Sequence, residues 1–325
     1  MEEIIQFINS GSFFLVAGHK EPDGDCVGSQ LAMRSALLRL GKKAEVCSAG
    51  PFKRSELRNY ADQFTATPEI PDGVSCKVII IDCSGTDRTG DIQNLLKKFP
   101  CAVIDHHAAI NYTPSTPNEP VYIDSNAPSC TLLIYRLIKA LGLEITEEEA
   151  SCLFFGLCTD TGFFRFLTEK DSGVLDTAAE LIRRGANPKK INGLIYGGRS
   201  LNSRIMTGRI LSRIESYFDG KLLLSYETLE DFNAFGLEGR DSEALNQSML
   251  ATEGIEATVI IRQECADSCT VSFRSLDKID VAKIASNFGG GGHKNASGVT
   301  IKGGITFVKE KILEAFGDIY KYPQK

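Results

Sequence analysis

Val103-Ile104-Asp105-His106-His107 decides how this chain is read. The chain holds only four histidines in 325 residues, and two of them stand side by side here, directly after an acid. The residues leading in, Cys101-Ala102-Val103-Ile104, are short, apolar and β-branched, as a buried strand would be. A strand that stops in Asp-His-His puts three polar, metal-competent groups at one strand end. Taken alone, the triplet also fits a turn that happens to hold two histidines. The rest of the chain separates the two readings.

Working backward, Lys77-Val78-Ile79-Ile80-Ile81 is the clearest buried strand, and it ends in Asp82. A crossover helix is expected between the two strands, over 92–99. Near the start, Gly11 to Ala17 reads as a strand running into Gly18-His19-Lys20-Glu21-Pro22-Asp23-Gly24-Asp25. Val27 to Leu40 then has helical spacing and stops at Gly41. His19, Asp23 and Asp25 are therefore expected in a strand-to-helix loop. Alternating strands and helices predict an α/β fold with a parallel sheet, and such sheets bind ligands beyond the carboxyl ends of their strands. His19, Asp23, Asp25, Asp82, Asp105, His106 and His107 all fall at those ends.

Working forward, helices are expected over Cys130–Leu141, from the Thr146-x-x-Glu149 capping box to Thr159-Asp160, and over Ser172–Arg184. The first domain is placed at residues 1–190 and a helical connection at 191–218. A smaller α+β domain is placed at 219–325, with strands over 221–226, 257–262, 269–275 and 299–302. In it, a short helix over 280–288 opens into Gly289-Gly290-Gly291-Gly292-His293-Lys294-Asn295-Ala296-Ser297-Gly298.

The totals narrow the class. Hydrophobic content of 42% with 24% charged residues is that of a soluble globular protein. No apolar run approaches the roughly 18–20 residues of a membrane span. Met1-Glu2-Glu3-Ile4 is acidic and does not read as a secretory signal. Ten cysteines without a C-x-x-C pair suggest reduced thiols, so a cytoplasmic protein is expected. A net charge of −6 argues against a broad electrostatic grip on duplex DNA, but not against a small phosphorylated ligand.

Carboxylates and imidazoles together suit Mn²⁺, and suit Zn²⁺, Fe²⁺ or Co²⁺ nearly as well. Four consecutive glycines let backbone come close to a ligand and cradle an anion, and no P-loop spacing is present. Arg274 and His293 are candidates for a substrate's far phosphate, since arginine can grip phosphate through two N–H groups. Ser275, Gly290, Gly291, Gly292 and Asn295 join them as candidate substrate-binding residues. Arg165 and Phe166 fit either contact with a base or, with Phe163 and Phe164, core packing.

These residues carry a resemblance. His19-x-x-Pro22-Asp23-Gly24-Asp25-x-x-Gly28-Ser29, then Asp82, then Asp105-His106-His107, then Asp160-x-Gly162, are similar in order and spacing to the four motifs of the DHH phosphoesterase family. Gly289 to His293 with Ala296-Ser297-Gly298 resembles the signature of that family's C-terminal associated domain. The two-domain form resembles the group that hydrolyses short RNA (nanoRNA) and 3′-phosphoadenosine-5′-phosphate. The resemblance implies two Mn²⁺ ions, with Mg²⁺ or Co²⁺ as substitutes. One would be held by His19, Asp23 and Asp82, the other by Asp25, Asp82, His106 and Asp160. A hydroxide activated by both would attack the phosphorus. His107 would act beside the scissile phosphate and Asp105 would orient an imidazole. The implied substrate is a short single-stranded 5′-phosphorylated oligoribonucleotide cut to mononucleotides, and also 3′-phosphoadenosine-5′-phosphate cut to AMP. No membrane partner is implied, and a homodimer is. Competing readings are a cyclic- or linear-dinucleotide phosphodiesterase, and an inorganic pyrophosphatase or exopolyphosphatase, against which the glycine run argues. A catalytically silent nucleotide-binding protein is disfavoured because every motif position is filled.

Overall fold

The computed structural model describes residues 1–71, 73–107, 119–276 and 278–321. The chain forms two compact units, Met1–Gly198 and Arg199–Lys325. The last four residues of the expected second domain lie outside the described residues.

In the first unit the apolar β-branched runs form strands as expected. β1 (Phe13–Ala17), β2 (Lys43–Cys47), β3 (Cys76–Ile81), β4 (Cys101–Asp105) and β5 (Val121–Ile123) make one parallel sheet in the order β2-β1-β3-β4-β5. Side chains alternate between its faces. Phe14, Val16, Ile79, Ile81, Ala102 and Ile104 point into one core; Phe13, Leu15, Ala17, Val78, Ile80 and Val103 point into another. With both faces covered, the strands read as continuous apolar runs.

The first core lies under α1 (Glu2–Asn9), α2 (Gly24–Arg39), α4 (Cys130–Ala140), α5 (Glu147–Asp160) and α6 (Ser172–Arg183). On the other face the expected helix over 92–99 shrinks to α3 (Gln93–Leu96). Only Ile92 and Leu96 are buried there, and Pro100 disfavours helical backbone at Phe99. The helix expected to start at Val27 begins instead at Gly24, because the Asp23 side chain accepts from Cys26 N at 3.1 Å and caps it. Asp25 therefore sits in the first helical turn rather than in the loop.

Two glycines bring α2 and α5 into backbone contact. A Cβ at Gly28 would lie 2.4 Å from Cys152 O, and one at Gly156 would lie 3.0 Å from Asp25 Cα. The expected capping box of Thr146 and Glu149 is present. The buried Glu149 also pairs with Arg39 at 2.8 Å, pinning α5 to α2. α7 (Pro188–Tyr196) ends the unit.

In the second unit β6 (Glu215–Tyr217), β7 (Leu222–Glu227), β8 (Ala257–Cys265), β9 (Ser268–Ser275), β10 (Gly291–His293) and β11 (Ala296–Lys302) form a mixed sheet in the order β10-β11-β9-β8-β7-β6. Only β7 and β8 are paired in parallel. α11 (Val281–Ser286) and α12 (Ile305–Lys321) cover one face through Val281, Ile284, Val308, Ile312 and Phe316. The other face carries α8 (Leu201–Leu211), α9 (Leu229–Phe235) and α10 (Ser242–Leu250). Met206 and Ile210 of α8 pack with Leu245, Met249 and Ile260. The segment expected as a helical connection thus divides, with α7 in the first unit and α8 packed into the second.

The glycine run is more regular than an open loop. Gly289 closes α11 in left-handed conformation (φ 79°), and Gly291–His293 pairs with Ala296–Gly298 as a hairpin. A Cβ at Gly290 would lie 2.4 Å from Gly298 O, and one at Gly292 would lie 2.5 Å from Ala296 O. Only Gly291 among the three hairpin glycines has open space around its Cβ position and no positive φ.

Candidate metal centre

In the order β2-β1-β3-β4-β5 the chain reverses direction of growth between β1 and β3, and an open α/β sheet has its binding crevice at that switch point. His19 follows β1 and Asp82 follows β3, and the two side chains meet there: His19 Nε2 lies 3.6 Å from Asp82 Oδ2 and 3.8 Å from Asp23 Oδ1. Asp82 reaches in because its backbone is left-handed (φ 61°), an uncommon state that aspartate tolerates better than most residues.

Around the other Asp82 oxygen stands the second group. His106 Nε2 lies 3.4 Å from Asp82 Oδ1, 3.3 Å from Asp160 Oδ2 and 3.7 Å from Asp25 Oδ2. Asp160 arrives on the end of α5. Asp25 is fully buried and accepts N–H groups from the start of α4, Cys130 N at 2.5 Å and Thr131 N at 2.8 Å. One carboxylate thus stands at the N-termini of two helices, where a negative charge is favoured.

The tautomers of both imidazoles follow from their anchors. His19 Nδ1 meets Lys20 O at 2.9 Å and His106 Nδ1 meets Ala127 O at 3.2 Å. A carbonyl only accepts, so each Nδ1 carries the proton and each Nε2 turns toward carboxylates. His106 Nε2 and Asp82 Oδ1 are buried with no hydrogen-bond partner. With the ring neutral these are two facing acceptors, and a cation satisfies both.

The electrostatics agree. Burial, then the Asp160 and Asp82 carboxylates, push the Asp25 carboxyl well up. Burial and the Asp23 and Asp82 charges also push Asp160 up, against the His106 contact. Burial alone would lower His106, but Asp160, Asp82 and Asp25 outweigh it and hold its imidazole up to about 11. Burial opposes a charge on Asp23 too, yet His19, the Cys26 amide and Arg54 bring its carboxyl down to about 2. Without metal, protons take the role of the missing positive charge. Among the described residues, three sets of potential ligand atoms each lie within 4.8 Å of one another: His19, Cys26 and Asp82; Asp82, His106 and His107; Asp25, His106 and Asp160.

His107 is held differently. Its Nδ1–H donates to Asp105 Oδ1 at 2.8 Å, and its backbone N donates to the same oxygen at 3.1 Å. Asp105 is 1% exposed while the His107 side chain is 61% exposed, so Nε2 is left outward. The Asp105 contact raises the imidazole above its ordinary value.

The remaining expected residues are placed in the second unit. Arg274 is half-buried on β9, across from Thr258 and Ala296, and its Nη1 donates to Phe273 O at 2.9 Å. Gly291, Gly292, His293 and Asn295 are exposed and Gly290 is half-buried. Ser275 is buried, and its hydroxyl donates to Ile279 O at 2.7 Å, which ties the loop that follows β9. In the first unit, Phe163 and Phe164 pack edge-on against Phe154, which is the core alternative. Phe166 is 64% exposed with Arg165 over its ring. Sequence reasoning passed over Cys26, although it lies inside the first motif. It also passed over Arg262, whose neighbours Ser272 and Ser242 are distant in sequence.

Comparison with known proteins gives a consistent result. Residues 14–157 match the DHH family N-terminal domain and residues 220–321 match the DHHA1 domain. The bifunctional oligoribonuclease and PAP phosphatase NrnA of Thermus thermophilus is 30% identical over 301 residues, covering 92% of this chain and 88% of its own. The crystal structure of an exopolyphosphatase-related protein from Bacteroides fragilis superposes with a TM-score of 0.85 at 22% identity, covering 98% and 96% of the two chains. RecJ of Thermus thermophilus, crystallised with Mn²⁺, superposes with a TM-score of 0.54 at 15% identity, covering 99% of this chain and 54% of its own. Among the described residues, no helix is long and apolar enough to cross a membrane.

Proposed function

This chain belongs to the DHH family of phosphoesterases, and from that premise we propose that it hydrolyses short 5′-phosphorylated oligoribonucleotides to mononucleotides, and 3′-phosphoadenosine-5′-phosphate to AMP, with two divalent ions, Mn²⁺ foremost. The observation that carries the reading is the shared Asp82. One of its oxygens faces His19, the other faces His106, and the latter contact joins two buried, unpartnered acceptors. The similarity to the Thermus NrnA supports the substrate class, and RecJ with its Mn²⁺ supports the choice of metal.

His19, Asp23 and Asp82 would hold one ion; Asp25, Asp82, His106 and Asp160 would hold the other. The four carboxylates carry, when ionised, the charge that two divalent ions neutralise. Such ions supply a water of lowered pKa and offset charge on the phosphoryl oxygens. His107, fixed by Asp105 with Nε2 outward, donates a proton or hydrogen bond to a phosphoryl or leaving oxygen. Arg274 and His293, with the open backbone at Gly291, take the terminal phosphate. Nine of the ten cysteines are buried and free, which supports a reducing, cytoplasmic setting.

The test is hydrolysis of a 5′-phosphorylated diribonucleotide with Mn²⁺. Two mononucleotides are expected, with the rate falling more than about a hundredfold in Asp82→Ala, beyond what residues behind the ligands cost. An intact substrate with metal-loaded protein overturns the reading. Release of inorganic phosphate in its place would make the protein a phosphatase only.

A further inference from the structure

The candidate centre contains a sulphur atom that the proposed reaction does not use. Cys26 follows Asp25 in the first turn of α2 and is fully buried. Its Sγ lies within 4.8 Å of one ligand atom each from His19 and Asp82. The groups around that point are acceptors. His19 Nε2 is the nitrogen free to accept when the ring is neutral, because Nδ1–H is bound to Lys20 O. Asp23 Oδ1 and Asp82 Oδ2 lie 3.8 and 3.6 Å from it. Asp82 is only 2% exposed, and its Oδ1 has no hydrogen-bond partner.

The sulphur itself is treated as an acceptor. Gln30 Nε2, one helical turn further on, donates to Sγ at 3.2 Å. Two other buried thiols near the centre do the opposite. Cys130 Sγ donates to Ile104 O at 3.4 Å, and Cys83 Sγ lies 3.8 Å from the Ile81 and Gly85 carbonyls. Room for the Cys26–Gln30 pair comes from Gly18, where a Cβ would lie 2.2 Å from Sγ and 2.8 Å from Gln30 Nε2. A thiol is thus held by an amide donor on one side and opens onto a cluster of acceptors on the other.

We propose that Cys26 Sγ is a fourth donor at the His19–Asp23–Asp82 position and makes that position select a thiophilic divalent ion, Zn²⁺, Fe²⁺ or Co²⁺, over Mn²⁺ or Mg²⁺. The inference rests on the two-ion reading and goes beyond it by making the two positions unlike. The other position, built from Asp25, Asp82, His106 and Asp160, offers only oxygen and imidazole donors and suits Mn²⁺. Soft thiolate donors favour zinc and iron, whereas carboxylates suit manganese and magnesium. On binding, the S–H bond breaks, a sulphur–metal bond forms and one proton goes to solvent, with no change of oxidation state.

Cobalt titration of the full chain tests this without reference to activity. The expected result is visible ligand-field bands together with a near-ultraviolet thiolate-to-cobalt band. The second band disappears in Cys26→Ser and persists in Cys83→Ser and Cys130→Ser. If Cys26→Ser does not fold, persistence in the other two variants still assigns the sulphur. X-ray absorption of the zinc-loaded chain is expected to show a sulphur neighbour at about 2.3 Å. In equilibrium dialysis against mixed Zn²⁺ and Mn²⁺, Cys26→Ser is expected to lower the Zn²⁺ preference at least tenfold at unchanged total metal. Ligand-field bands without the near-ultraviolet band overturn the inference and leave the two-ion reading standing. A near-ultraviolet band lost only in Cys83→Ser or Cys130→Ser overturns it as well. No cobalt bands at all overturn both.

Discussion

Both units bury charge, and they do so in opposite ways. In the second unit Glu227 is fully buried, but Arg240 Nη2 stands 2.7 Å from one of its oxygens and Arg262 Nε stands 3.3 Å from the other. Arg240 also reaches Glu264 at 3.2 Å, and Arg262 donates to Ser272 and Ser242. In the first unit Asp25 and Asp82 are as deeply buried, yet they face other carboxylates and imidazole nitrogens whose only positive charge is a proton. A buried charge that already has its counter-charge holds a fold together. A buried cluster of acceptors costs stability, and an added cation is what makes it favourable. The contrast separates a structural network from a site, although both look like polar residues in a core.

The largest test of this contrast is Glu227→Ala. Taking away the carboxylate shared by the buried Arg262 and the half-buried Arg240 is expected to destabilise the protein by about 3–5 kcal/mol in denaturant unfolding, with bound metal unchanged. A negligible loss would mean that the network is not what it looks like.

The mirror-image variant is Asp160→Asn in metal-free protein, where the expected change has the opposite sign. Burial and the Asp23 and Asp82 charges raise this carboxyl in the folded state. Its stabilising contribution is therefore present at acid pH and lost as pH rises through the raised value. The asparagine variant should be more stable near neutrality, with the gap closing in acid. Added Mn²⁺ should reverse the order. A variant less stable than wild type in both states would remove the distinction between the two units.

A finer test concerns the one imidazole of the rim that is paired in the manner of the second unit. Asp105 raises His107. If protonated His107 is required, activity falls as pH rises through that raised value. Asp105→Asn should move this alkaline limb to lower pH. A limb that does not move would detach His107 from the reaction.

The smallest expected effect compares two neighbouring glycines. Gly290→Ala drives a Cβ to 2.4 Å from Gly298 O and should cost about 1–3 kcal/mol of stability. Gly291→Ala meets nothing within 4 Å, so the melting temperature should hold while KM for a 5′-phosphorylated substrate rises about tenfold. Equal loss of stability in both would make Gly291 a structural residue.

Much of the first unit was legible in advance. β1, β3 and β4 declare themselves as apolar runs that end in His19, Asp82 and Asp105, and Ser129, Thr146 and Glu149 mark the helix starts behind them. β2 and β5 were not seen. Lys43–Cys47 mixes charged with apolar residues and Val121–Ile123 is three residues long, so both exist as strands because β1 and β4 offer them edges. α9 and α10 were missed for a related reason, since each is under ten residues long and turns few apolar side chains inward, Leu245 and Met249 in α10. The sequence offers Ser275 as a candidate substrate contact, and only the fold shows its hydroxyl donating to Ile279 O.

The sequence by itself determined which residues stand at strand ends and helix starts, because those are local events governed by β-branched runs, turn residues and caps a few positions apart. Only the tertiary structure decided which carboxylate faces which imidazole. Asp25 meets the start of α4 across 105 residues of chain, and α2 lies close enough to α5 only because Gly28 and Gly156 lack side chains. The same holds for the left-handed turn that aims Asp82 between two histidines, and for the amide that turns Cys26 into an acceptor. Such contacts follow from packing between distant segments, and no pattern of neighbouring residues encodes them.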